Sequence, residues 1–331
     1  MWNVLVALLL LGVGRWTGAE LQPVLKQVTE PVEHGEGPHW DGHQKVLYFV
    51  DIHQQLVNRY DPATNNVSHV KLEGGEVSLV IPVADTEDKF VVSVGLHLVL
   101  LTWNGVDEDP DNVEYITSVE ADKDGNRFND GKADRCGRIW AGTMGPEKIV
   151  GEVTPDQGSL YSLNPNSFMP ETEISPVSVS NGLAWTSDNK IFYYIDTPTL
   201  QIAAYDFDIQ SGSISNRRVA FDLKAHNISG FPDGMTIDSN NNLWVAVFDG
   251  AKVLYVDPRT GSLLGSVEMP VTRVTSLAFG GDNLETLYAT TSRFGLTEEQ
   301  LAQQPLAGSV FAITGLGVRG THPNTAIRTV Q

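Results

Sequence analysis

The stretch Asn126–Arg127–Phe128–Asn129–Asp130–Gly131–Lys132 passes through a polar turn into Arg138–Ile139–Trp140–Ala141–Gly142–Thr143–Met144. A polar residue, a turn, an Asp/Asn/Gly corner and then a short apolar strand recur along the chain in a fixed register. The stretch therefore reads as one spoke of a wheel whose hub is the active site.

Working outward, short β-rich runs occur at Tyr48–Ile52, Phe90–Gly95, Ile139–Met144, Phe192–Thr197, Leu243–Phe248 and Leu287–Ser292. Their period of roughly 40 to 55 residues is the length that four strands and their turns occupy in a propeller blade, and it predicts six blades. Turn signals separate the runs: Asp61–Pro62, Asn104–Gly105, Asn164–Pro165, Ser211–Gly212, and Asp257–Pro258 with Thr260–Gly261. Asp61–Pro62–Ala63–Thr64 and Asp257–Pro258–Arg259–Thr260–Gly261 match each other as hairpin turns at blade edges. Only Thr297 to Gln304 carries a helical pattern, and Pro305 stops it. The expected fold is an all-β six-bladed propeller, with a large sandwich as the rival.

The chain has 331 residues, 41% of them hydrophobic, enough for a large core within a single domain. A formal net charge of −19 argues against nucleic acid or an anionic membrane as partner, since both need clustered Lys and Arg. The acidity suits a divalent cation, or serves solubility alone. The apolar run from Val4 to Val13 is shorter than the about 20 residues that cross a bilayer, and Thr17–Gly18–Ala19 follows it as a small-residue cleavage pattern. A signal peptide over residues 1–19, a propeller over 20–331 and a secreted product are expected, although the first residues lack Lys and Arg. The sequons Asn66–Val67–Ser68 and Asn227–Ile228–Ser229 agree with secretion. The single Cys136 permits no internal disulfide and reads as a small structural residue.

Counting back about ten to twelve residues from the apolar runs gives Glu36, Asn129, Asn181 and Asp233, each within or beside a Gly-containing corner. The innermost strands of a propeller line its central channel, so equivalent positions at their starts converge on its mouth. Two carboxylates and two amide oxygens make a site for a hard cation: Ca²⁺ first, with Mg²⁺, Mn²⁺ or Zn²⁺ as substitutes. The plainer reading is that Asn–Gly and Asp–Gly are turns.

Other motifs lack their context. Gly315–Leu316–Gly317–Val318–Arg319–Gly320 matches a dinucleotide fingerprint with no helix or second strand to follow. Asp122–Lys123–Asp124–Gly125–Asn126 starts like a calcium loop but has Arg127 where the Gly belongs and Ala133 where the Glu belongs. His34, His39, His43 and His53 form no zinc-protease motif and are expected to alternate across strands without converging. No Gly-x-Ser-x-Gly elbow is present, so any hydrolysis has to be metal-assisted.

Gly35–Glu36–Gly37–Pro38 followed by Leu47–Tyr48–Phe49–Val50–Asp51, the Asn126–Lys132 stretch, Ser180–Asn181–Gly182–Leu183, Ile191–Phe192–Tyr193–Tyr194–Ile195–Asp196, Pro232–Asp233–Gly234–Met235 and Ile313–Thr314–Gly315–Leu316–Gly317–Val318 together resemble the gluconolactonase family. That family includes the regucalcins, or senescence marker proteins. Glu36–Gly37–Pro38–His39–Trp40 is similar to the insect luciferin-regenerating enzymes. The resemblance spans about Glu33 to Gly320. It implies a six-bladed propeller that binds Ca²⁺ and hydrolyses sugar lactones such as gluconolactone. The family's metal ligands fall on Glu36, Asn181 and Asp233, and its substrate-holding residues on Arg127, Asn129 and Glu147. Gly37 stands where vertebrate regucalcins carry Ser, and the lid from Gly145 to Gln157 has its own shape through Pro146 and Pro155. Both departures bear on substrate choice; a third is the signal peptide, since the resemblance implies the cytoplasmic location usual in the family as the alternative to secretion.

The expected mechanism is metal-assisted lactone hydrolysis, with Asp233 as the candidate that activates the attacking water and Arg127 and Asn129 orienting sugar hydroxyls. The partner is a small lactone, with a monomer expected and no nucleic acid or membrane. The alternatives are a non-catalytic calcium-binding protein on the same propeller, for which Arg127 and Asn129 would be unneeded, and an esterase or luciferin-regenerating type of enzyme on the same scaffold.

Overall fold

In the computed structural model, which describes residues 9–11, 14–16, 22–149, 151–165 and 167–327, six antiparallel blades surround a channel. From the channel outward, the first five blades have four strands each, starting at Gly35–Asp41, Val80–Pro82, Arg127–Ala133, Ser180–Trp185 and Phe231–Ile237. The sixth joins the two ends of the chain. Val274–Gly280, Thr286–Thr291 and Phe311–Thr314 supply three strands and Val24–Gln27 the fourth, paired antiparallel with Phe311–Thr314. That pairing closes the ring.

Burial explains why the apolar runs show so clearly in the sequence. They are the second strands, covered on both faces by neighbouring blades: every residue of Val46–Asp51 and of Ile139–Met144 is buried. The outermost strands meet water and read as polar, as in Asn112–Ser118, where the first four residues are exposed. The apolar core is therefore a set of layers between blades. Tyr48, Phe90 and Trp103 pack between the first and second blades, and Trp140, Trp185, Phe192 and Phe207 between the third and fourth.

The turns between first and second strands repeat one device. Asp134 Oδ1 accepts the backbone N–H groups of Cys136 and Arg138, and its Oδ2 accepts from Trp140 Nε1. Asp238 does the same with Asn240, Asn242 and Trp244. Each carboxylate ties a hairpin turn to the aromatic ring that fills the next interblade layer, so the turn and the core specify the same register. Cys136 lies in the first of these turns, half-buried.

The short helix Glu298–Gln303 begins at a Thr297/Gln300 capping box. Beyond Thr314 the Gly-rich segment forms no helix, so the dinucleotide reading has no structural support there. The expected signal peptide lies mostly outside the described residues. Of it, Leu9–Leu11 lies along Val24–Gln27 and Gly14–Trp16 along Gly265–Val267, as short additions to two blade edges. The ring closes through Val24–Gln27 without them.

Candidate functional site at the mouth of the channel

The inner strands are irregular where the sequence has its Gly-containing corners. The ladder to the second strand slips between Glu36 and His39, Phe128 and Gly131, Asn181 and Leu183, and Pro232 and Met235. A bulge of this kind re-aims side chains that regular alternation would bury in a blade. Glu36, Asn129, Asn181 and Asp233 all sit at these slips, within inner strands and not in hairpin turns. Gly37 is required by its backbone, with φ at +55°, and the glycines after Asn181 and Asp233 by space. A Cβ on Gly182 would stand 2.8 Å from Asp233 O, and one on Gly234 2.1 Å from Ser276 Oγ. Each carboxylate also accepts the N–H of its following glycine: Glu36 from Gly37, Asp130 from Gly131 and Asp233 from Gly234.

Two aspartates at the ends of second strands present these residues. Asp51 accepts the N–H groups of Glu33 (2.8 Å) and His34 (3.1 Å), and Asp196 those of Ser178 (3.2 Å) and Val179 (3.0 Å). In both cases the held residues lie three and two positions before the site residue, Glu36 or Asn181. Side chains then tie neighbouring inner strands at the mouth. Ser78 donates to Phe128 O, Asn129 Nδ2 to Ser180 O, Thr197 Oγ1 to Pro232 O and Thr275 Oγ1 to Gly35 O. The site rests on a cross-braced ring.

Glu36 and Asp233 are each only 6% exposed and Asn181 3%. Burial, reinforced by the charge of Asp130, raises Glu36 to about 8, and burial with Glu36 and Asp130 raises Asp233 well above the usual carboxylate range. Asp130 is raised mainly by burial, while Lys132 beside it favours its charged form. Asn181 donates its amide N–H to Thr197 Oγ1, which leaves Oδ1 buried without a hydrogen-bond partner among the described residues; Asp130 Oδ2 is in the same condition. Orphaned buried acceptors and mutually repelling carboxylates are what a cation with oxygen ligands would relieve. Among the described residues no three His, Cys, Asp or Glu side chains form a metal cluster by themselves. The donor set that fits is Glu36, Asp233 and the amide oxygen of Asn181.

Arg127 stands beside this set. Its Nη1 donates to Phe128 O and to Asn129 Oδ1 (2.8 Å), while Nε and Nη2 donate to no group among the described residues. Burial lowers its affinity for its proton, opposed by the charges of Glu147, Glu76, Glu36 and Asp233. Glu147 belongs to a hairpin formed by Glu147–Ile149 and Glu152–Val153, where its carboxylate accepts the N–H of Gly151. Asn129 has both ends of its amide engaged, by Arg127 and by Ser180 O. It holds Arg127 in place and spends one of its two amide N–H groups on Ser180 O.

Residues 34–293 match the family described as the SMP-30/Gluconolactonase/LRE-like region. The chain belongs to this family. It is 40% identical to regucalcin of Pongo abelii over 294 residues, 89% of this chain and 95% of that protein. It is also 40% identical to regucalcin of Homo sapiens over 289 residues, 87% of this chain and 93% of that protein. Among solved structures, a luciferin-regenerating enzyme superposes with a TM-score of 0.87 at 37% identity, covering 93% of this chain and all of that one. A calcium-binding regucalcin from Agrobacterium tumefaciens gives a TM-score of 0.79 at 22% identity, over 92% and 97% of the two chains, a likeness of fold.

Two features of this family member differ from the reading of its sequence. His34 and His53 do converge, with ring centroids 5.3 Å apart, because the ladder between their strands ends at Gly35 and Asp51 and both rings lie beyond its alternation. Asp130 and Lys132, which the register count passed over, face the channel next to Glu36. Past them the channel opens into a cavity of about 430 Å³ toward the opposite face, bordered by His39, Trp185, His322 and Asn324. Asp130 and Lys132 belong to the lining of that cavity, and Glu36, Asn181 and Asp233 lie outside it.

Proposed function

We propose that the chain is a lactone hydrolase that depends on a divalent cation, calcium first among the candidates, held by Glu36, Asn181 and Asp233. The observation that carries this reading is the buried, partnerless Oδ1 of Asn181 beside two carboxylates whose ionised forms burial disfavours. A cation bound there supplies Lewis-acid polarisation of the lactone carbonyl and charge stabilisation for the oxyanion that develops from it. Arg127 offers its remaining N–H groups to the substrate, in an orientation fixed by Asn129. Asp233 accepts the proton of the attacking water. Glu147, on its hairpin beside Arg127, favours the charged guanidinium. The names of relatives support the class: besides the regucalcins, a gluconolactonase of Xanthomonas campestris shares the fold at a TM-score of 0.71 and 19% identity.

The test is a panel of lactones assayed with and without chelator. Hydrolysis that chelation abolishes and Ca²⁺ or Mn²⁺ restores is expected. Hydrolysis indifferent to chelation would overturn the metal assignment, and no turnover of any lactone would leave a calcium-binding protein. That second reading has one observation in its favour, the engagement of both ends of the Asn129 amide within the protein. The free Nε and Nη2 of Arg127 argue the other way.

A further inference from the structure

Four flat rings stand around the same mouth. His34 immediately precedes Gly35–Glu36, His53 follows Asp51, Phe248 ends a second strand opposite Phe231, and Phe294 follows the second strand of the sixth blade. The rings of His53 and Phe294 stack with centroids 3.7 Å apart and planes at 28°. His34 lies 5.3 Å from His53, 6.1 Å from Phe294 and 6.5 Å from Phe248. Arg273 fixes this group: its guanidinium lies 5.0 Å from the centre of the Phe248 ring, donates to the backbone carbonyl of Phe294 and pairs with Asp249 at 2.9 Å.

The rings and the oxygen donors share one space, since Arg127 acts electrostatically on His34 and His53 as well as on Glu36. Burial, helped by Arg127, lowers His53 to about 4, so at neutral pH the stack is an uncharged planar surface. His34 Nδ1 and His53 Nε2 are buried without hydrogen-bond partners among the described residues. All four rings are half-buried, and Phe231 beside them is 46% exposed. These rings offer a flat ligand apolar area and a surface on which to stack.

We infer that the mouth selects lactones or esters in which a planar aromatic or heteroaromatic ring adjoins the reacting carbonyl. The ring lies against the His53–Phe294 stack. The inference rests on the lactonase reading for its chemistry and on the ring geometry for its specificity.

The experiment compares kcat/KM for 3,4-dihydrocoumarin with that for δ-valerolactone, which has the same lactone ring without the arene, in the full chain with saturating Ca²⁺. Because aryl lactones are intrinsically the more reactive, the readout is how the ratio changes between variants. Phe294→Ala should lower the aryl-to-alkyl ratio about fivefold, the scale of one aromatic contact. Phe294→Tyr, which keeps the flat ring, should hold the ratio close to that of the parent and also guards against misfolding of the alanine variant. Calorimetry with 3,4-dihydroquinolin-2-one, the lactam that is not turned over, reads binding alone. Its Kd should weaken about fivefold in Phe294→Ala. If no lactone is hydrolysed but the lactam binds in a Phe294-dependent way, the lactonase reading fails and the aromatic mouth stands. If gluconolactone is hydrolysed while the ratio and the lactam affinity ignore Phe294, the aromatic mouth is overturned and the lactonase reading stands.

Discussion

Asn181 and Thr197 form a relay across two blades: the Asn181 amide donates to Thr197 Oγ1 at 3.0 Å, and Thr197 Oγ1 donates to Pro232 O at 2.9 Å. The relay engages the N–H end of the amide, whose side chain also hydrogen-bonds Asp233, and it ties the backbone just before Asp233 to the same hydroxyl. Thr197 thus orients two of the three proposed metal ligands without touching a metal. Thr197→Val keeps the shape and removes the hydroxyl. The expected result is a calcium affinity lower by roughly 10- to 100-fold, as when outer-shell partners of metal ligands are lost. Stability should fall by no more than about 1.5 kcal/mol, the range of one hydrogen bond. Calcium titration by calorimetry, with a thermal melt alongside, reads both. Unchanged affinity would show that Asn181 needs no such anchor.

Arg127 offers a cleaner separation of substrate from metal. Arg127→Lys keeps a positive charge near Glu36 and Asp233 but loses the planar fork that bonds Phe128 O and Asn129 while leaving Nε and Nη2 available. The expected outcome is a kcat/KM for lactone lower by about tenfold or more, a loss of ~1.4 kcal/mol in transition-state binding, with calcium affinity within about twofold of the parent. Joint loss of metal binding and thermal stability would mark Arg127 as a packing residue.

How the sequence could be read as far as it was, and no further, comes down to the bulges. Apolar runs and turn chemistry place the second strands, because these are buried on both faces and so show no alternation, as in Val46–Asp51. Counting back from them reaches the right corner in the inner strand. It cannot say which of two adjacent residues faces the channel, since one extra residue in a strand reverses the alternation. At Asn129–Asp130 this mattered: Asn129 braces Arg127 and Ser180 O, while Asp130 is the carboxylate whose charge acts on Glu36. The pairing of His34 with His53 was hidden for a related reason, lying past the last ladder pair, Gly35 with Asp51. Thr197 carried no signal at all, because its role depends on a blade-to-blade contact with Pro232.

His39 gives a stability prediction with a definite sign. Burial lowers it from 6.5 to about 4, aided by the charge of Lys132 and opposed by Asp41. The fold therefore prefers the neutral ring. Its contribution is fully present above pH 6.5 and is lost as the pH falls from there through about 4. Thermal melts across this window should show the melting temperature falling on acidification, and falling less steeply in His39→Gln, which cannot take up the proton. Parallel curves for the two proteins would show that His39 is not held neutral by the fold.

Secretion is proposed from the run Val4 to Val13 followed by Thr17–Gly18–Ala19. Expressed in insect cells, the protein should accumulate in the medium with its N-terminus near Glu20. The cleaved chain should retain its fold, because Val24–Gln27, the strand that closes the ring, lies after the cut. N-terminal sequencing decides the matter, and cytosolic protein that still begins at Met1 would count against it.

Asp233 is the residue at which ligation and proton transfer have to be told apart. Asp233→Asn is nearly isosteric and keeps one oxygen for a cation, but it removes a charge and the capacity to accept a proton. If Asp233 were a ligand only, the variant would bind calcium less tightly and regain most of its activity once metal is saturating. If it also activates water, kcat stays low at saturating metal by roughly 10²- to 10⁴-fold, the usual cost of a lost general base. In the metal-free chain, burial and the nearby Glu36 and Asp130 hold the Asp233 carboxyl well above its ordinary range; a bound cation would oppose this and weaken the carboxylate as a base, so the comparison has to be made at saturating metal. A mere turn residue at this place would tolerate the Asn–Gly pair at little cost, but Asp233 sits in an inner strand where Gly234 has no room for a Cβ. Lactonase kcat measured against Ca²⁺ and Mn²⁺ concentration for both proteins, with folding checked by thermal melt, separates the cases. Full recovery at high metal would leave Asp233 a ligand alone, and unchanged activity at every metal concentration would remove it from the site.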